Sequence, residues 1–147
     1  EQTTARQQHG AAVDKVGWAK TALAKSETTG TTADIETAQQ TLRTAENARD
    51  VHTARCELRD REVIEAETQA ALAAAHVNVA TAQLDLAKVV AVNTLDRPEA
   101  QKPDVRQFEA AVREAEGKEN VARASLAAAA REVEIGRSKL SDSEGVR

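Results

Sequence analysis

The feature that most constrains this chain is a spacing. Val105, Phe108, Val112, Ala115, Glu119, Ala122, Leu126, Ala129, Val133, Gly136 and Leu140 succeed one another in alternating steps of three and four. A helix turns once every ~3.6 residues, so this rhythm gathers them on one stripe, the seam that a coiled coil lays against its neighbour. Only Glu119 and Gly136 interrupt its apolar character. The rhythm recurs in Ala5, His9, Ala12, Val16, Ala19 and Leu23, and in Val63, Ala66, Ala70, Ala73, Val77, Ala80, Leu84, Ala87 and Ala91. No stretch sustains the period-two alternation of a strand.

Two segments break the helical pattern. Residues 26–32 are polar and β-branched around Gly30, and residues 93–103 hold Pro98 and Pro103 with the turn signal Asp96-Arg97-Pro98. Three helices are predicted, at about 4–25, 34–92 and 104–140, with Thr32 or Asp34 capping the second and Asp104 the third. The second also carries another apolar row, Leu72, Ala75, Val79, Ala82, Leu86 and Val89, read as a seam adjacent to the first. Two adjacent seams need two neighbours. One is the third helix, folded back across the proline turn; the other is the first helix, a further segment or a second copy of the chain. The expected fold is all-α, a single elongated domain in which three helices, one of them very long, form a bundle or antiparallel coiled coil. At about 1.5 Å per residue the long helix alone spans about 90 Å. Val77, Leu84, Phe108, Val112, Leu126 and Val133 are the expected packing residues, and Leu84→Asp is expected to unravel the bundle.

Composition agrees with long helices rather than a globule. Hydrophobic residues make up 41% of the 147 positions but aromatics only 1%, so alanine must build most of the interior. Alanine brings little area to bury and is the best helix former, a combination that suits closely packed helices. Charged residues are abundant (30%) yet nearly balanced at a net −4, and their signs alternate along runs such as 55–62, the mark of a solvated helix face laced with i,i+4 pairs. With no basic stripe and no set of aromatics to stack on bases, nucleic-acid binding is disfavoured.

Candidates for chemistry are few. His52 and Cys56 stand four apart on one helical face, a spacing that suits zinc, but His9 and His76 lie on other helices with no evident convergence. The pairs Glu114/Glu116 and Glu132/Glu134 point to different faces, and no phosphate loop, dinucleotide fingerprint, nucleophile elbow or calcium loop is present. No enzyme activity, cofactor or metal is expected. Trp18 is read as covering the border between two helices, with exposure as a partner's hot spot the alternative; Phe108 is read as plugging the bundle beside the turn. Cys56 is the single cysteine and excludes an internal disulfide. None of Asn47, Asn78, Asn93 or Asn120 stands in a glycosylation sequon. A start at Glu1 and the lack of a long uncharged stretch lead to the expectation of a processed fragment.

The runs ETQAALAAAH (67–76) and ASLAAAAREVE (124–134) resemble the invariant surface proteins of African trypanosomes, above all the glutamic acid/alanine-rich coat protein family. That resemblance implies a helical rod on the cell surface, packed side by side in a coat and tethered by a glycosylphosphatidylinositol anchor outside this fragment. It also implies an exposed, antigenic tip at Asp96, Arg97, Pro98, Glu99, Lys102 and Pro103. Cys56 without a partner departs from the disulfide-bearing relatives. A second resemblance, of ALAAAHVNVATAQLDLAK (71–88) followed by VRQFEAAVREAE (105–116), is to the helical hairpin of periplasmic adaptor (membrane fusion) proteins of bacterial efflux pumps. A cytosolic coiled-coil scaffold is the third possibility. Self-association, as a homodimer or by coat packing, is expected from the two seams.

Overall fold

The computed structural model describes residues 2–95, 98 and 102–145, the side chain of Gln2 excepted. Three helices account for almost all of it: α1 (Gln2–Thr29), α2 (Thr32–Asn93) and α3 (Val105–Gly145). The protein is all-α.

Each helix runs past its expected C-terminal bound, α3 begins one residue later than expected, and the first break narrows to Gly30 and Thr31. The threonines and serine that signalled a loop extend α1 instead. Ser26, Thr28 and Thr29 donate their hydroxyls to carbonyls three or four residues back, at 2.8–3.3 Å, and so fit within a helix. The cap of α2 is Thr31 rather than Thr32 or Asp34, with Asp34 as its reciprocal partner. Its Oγ1 accepts from the Asp34 amide at 3.3 Å, while Asp34 Oδ2 accepts from the Thr31 amide at 2.8 Å and from its hydroxyl at 2.7 Å. This reciprocal box answers amides that the first turn of a helix leaves without partners. The two Thr31 hydrogen bonds hold the Asp34 carboxyl below the usual carboxylate range. At α3, Asp104 Oδ1 accepts from the Arg106 amide at 2.9 Å and caps as expected.

The chain divides into two compact units. The first, Glu1–Val63 with Glu132–Arg147, sets α1, the first part of α2 and the last part of α3 together. There α2 carries two rows at the three-four spacing. Ile35, Ala38, Leu42, Ala45, Arg49, His52 and Cys56 form one, and Val51, Ala54, Leu58 and Arg61 the other, all buried or half-buried. Residues 51 and 52 are about 100° apart on the helix, so these rows are neighbours and serve two partner helices. On α1 the expected seam is packed from Ala5 to Leu23, with Ala12, Val16 and Ala19 each 5% exposed. The last part of α3 adds Gly136 and Val133, the largest fully buried side chain among the described residues.

The second unit, Ile64–Arg131, is a hairpin of the remainder of α2 and the first part of α3. On α3, Phe108, Val112 and Leu126 are half-buried and Ala129 buried. On α2 the structure covers one of the two expected seams and leaves the other open. Leu72, Ala75, Val79, Ala82, Leu86 and Val89 are buried or half-buried, whereas every member of the row from Ala66 to Ala91 is exposed. Val77 is 65% and Leu84 55% exposed, so neither packs within the chain. Two residues along a helix is a rotation of about 200°, so rows offset by two lie on nearly opposite sides and one neighbour covers only one of them. Leu84→Asp therefore acts at an open face and leaves the hairpin folded.

Among the described residues the buried apolar side chains are all alanine or valine. Such small groups let helix axes approach closely while each contributes little burial, so stability here is spread along length.

Candidate functional site

Both interruptions of the α3 seam are places where a basic side chain of α2 reaches across. Glu119, its side chain 15% exposed, lies 3.0 Å through Oε1 from His76 Nε2 and also pairs with Arg123 one turn on. A carboxylate on a packed seam is tolerable only with such partners, and this one ties α2 to α3 at a single register. At Gly136 a Cβ would stand 3.0 Å from Arg61 Nη1 and 3.1 Å from Leu58 Cδ1. The glycine leaves room for the Arg61 guanidinium, whose Nε faces Glu132 at 3.7 Å. Arg55–Glu144 at 2.8 Å and Lys139–Glu57 at 3.9 Å join the same two helices further along. Arg6–Asp60 at 3.5 Å joins α1 to α2, and other pairs, such as Lys118–Glu114 and Lys88–Asp85, lie along one helix and are solvent-exposed. Pairs of that kind contribute about 0.3–0.5 kcal/mol each.

His52 and Cys56 are half-buried on the α2 row beside α1. Burial, followed by the nearby charges of Arg55, His9 and Lys15, pushes the His52 imidazole below its ordinary 6.5. Among the described residues no group of three histidine, cysteine or carboxylate side chains is placed to hold a metal ion. A histidine whose folded pKa is lowered binds fewer protons folded than unfolded. Its contribution to stability is present above 6.5 and is lost as the pH falls from there through the lower folded value. The His52 ring protons are expected to titrate below 6.5 by NMR. His52→Gln is expected to flatten the fall in melting temperature between about pH 7 and 5.

A groove of about 370 Å³ in the first unit is bounded by Thr4, Ala5 and Gln8 of α1, Leu58 and Glu62 of α2 and Leu140 of α3, with Arg55 and Arg59 at its side. Arg55 answers to Glu144 and Arg59 to Glu62, so the cations of this groove are already neutralised.

The described part of the 93–103 turn is a closed structure. Asn93 Nδ2 donates to the Pro103 carbonyl at 3.0 Å, and Thr94 donates its hydroxyl to the Ala91 carbonyl at 2.6 Å. Pro98 is exposed, but Lys102 and Pro103 are half-buried, because the chain is drawn back to Asn93 before α3 begins. Those two are thus corrected from exposed tip to turn closure. Asp96, Arg97 and Glu99 lie outside the described residues.

Trp18 is 73% exposed on α1, so it borders no pair of helices. Val121 on α3 is 68% exposed, which its spacing off the seam foretells. The feature that sequence reasoning placed inside, the row from Ala66 to Ala91, is instead an open apolar stripe of the hairpin. Among the described residues no helix is long and apolar enough to cross a membrane. No family model, no curated protein and no solved structure matches this chain.

Proposed function

We propose that the chain works without catalysis, as a structural and interaction element of a membrane-anchored cell-surface coat. The observation that carries the first half is what the helices leave outside: Trp18, Val77, Leu84 and Val121 are all more than half exposed. Val77 and Leu84 share one open face of α2, and large apolar side chains aligned on an open face mark a surface that meets other molecules. The groups able to do chemistry are, by contrast, committed to joining helices: His76 to Glu119, Arg61 to Glu132, Arg55 to Glu144.

The setting rests on the resemblance of 67–76 and 124–134 to trypanosome surface proteins. Under it a glycosylphosphatidylinositol anchor lies outside these residues and the 93–103 turn faces outward. The helical hairpin of the second unit favours one other reading, the adaptor hairpin of a periplasmic efflux assembly. Both are tested by the intact mass of the native, detergent-extracted protein before and after phosphatidylinositol-specific phospholipase C. A loss matching diacylglycerol is expected. An unchanged mass, with added polypeptide of lipoyl type on both sides, would overturn the coat reading in favour of the adaptor.

A further inference from the structure

The open row of α2 has an order to it. Ala66, Ala70, Ala73, Val77, Ala80, Leu84, Ala87 and Ala91 repeat in steps of four and three, and all are exposed. The larger members, Val77 and Leu84, alternate with alanine. On one border of the row lie Glu67, Ala74, Thr81 and Lys88, seven apart, with the acid at the start and, at the end, the base, exposed and also 3.0 Å from Asp85 of its own helix.

We propose that this face pairs with the same face of a second copy, antiparallel, with Val77 against the partner's Ala80. In that register Leu84 meets the partner's Ala73, Ala70 the partner's Ala87 and Ala66 the partner's Ala91. The whole row is covered, and each large side chain lies opposite an alanine. Every layer then has similar bulk, and two helices can approach evenly along the seam. In an antiparallel pair the same border of each helix meets its counterpart, so Glu67 comes beside the partner's Lys88, and Lys88 beside the partner's Glu67. Full coverage and charge complementarity thus select the same register. A slip of one heptad separates the charges and leaves one end of the row bare. A parallel pair stacks Leu84 on the partner's Leu84 and alanine on alanine, alternating thick and thin layers, and sets Glu67 beside the partner's Glu62. The inference goes beyond the coat reading and does not depend on where the protein resides.

The row is about 40 Å long, at the small end of specific interfaces, so association should depend on concentration in the micromolar range. Sedimentation velocity of the full chain from about 1 to 300 µM is expected to show a monomer passing to a dimer. Leu84→Asp should abolish the dimer and leave helicity and melting of the dilute protein unchanged. Glu67→Lys should weaken it about fivefold, and adding Lys88→Glu should restore it. In a Cys56→Ala background, oxidising a mixture of Val77→Cys and Ala80→Cys chains should cross-link unlike chains. A monomer throughout, a dimer indifferent to Leu84→Asp, or cross-linking of Val77→Cys to itself would each overturn the proposal.

Discussion

Val133→Asp is expected to lower the unfolding free energy by at least about 3 kcal/mol, the largest loss any single substitution here should produce. Val133 is 1% exposed, the most deeply covered large side chain among the described residues. Its burial contributes on the order of 1.5–3 kcal/mol, and a carboxylate at the same place forfeits that and adds an ion removed from water. The cation near this part of α3, Arg61, already faces Glu132 and Glu57. A domain stabilised by only about 5–15 kcal/mol has little margin for such a change. Urea titration by circular dichroism reads the effect, and Val133→Ala separates its parts. Removing the methyl groups alone should cost roughly 1–2 kcal/mol, so the excess of the aspartate variant measures the buried charge. Equal losses for the two variants would mean that water reaches this position.

How much of this was legible beforehand depended on how many faces each helix had to choose between. On α3 a single stripe runs from Val105 to Leu140, and that stripe is the packed one. On α2 two rows keep the same rhythm, and periodicity reports a helix without saying which side is covered. Side-chain volume held the answer. Over 72–89 the packed row contributes Leu72, Val79, Leu86 and Val89, while the open row is mostly alanine. The seam's two irregular positions were visible as irregular, but their partners were not. That Glu119 meets His76 and Gly136 meets Arg61 depends on the register between helices far apart in sequence. The hydroxyl-rich end of α1 misled for a local reason: serine and threonine signal a break until their hydroxyls bond back to the preceding turn. Trp18 was misplaced by size, since a large ring suggests an interior in a chain that builds its interior from alanine and valine.

The sharpest check on which row is packed lies within a single turn of α2. Val77 and Val79 share a side chain, a helix and the same propensities, and differ in that one is 65% and the other 8% exposed. Val79→Asp places a carboxylate in the hairpin between α2 and α3 and should cost about 3 kcal/mol or more. Val77→Asp places it in water and should change stability by no more than about 0.5 kcal/mol. The helix-forming tendency of aspartate is common to both and cancels in the comparison. Measurement belongs at low micromolar concentration, below any pairing of the open face, so that only folding of the single chain is read. At high concentration Val77→Asp acquires an effect of its own, the loss of association, which Val79→Asp cannot report without first unfolding the hairpin. If the dilute-solution order were reversed, α2 would be turned by half a rotation, and the stripe from Ala66 to Ala91 would be the packed one after all. If the two costs were equal, neither side would be preferentially covered, and the hairpin would owe its register to Glu119 and its basic partners alone.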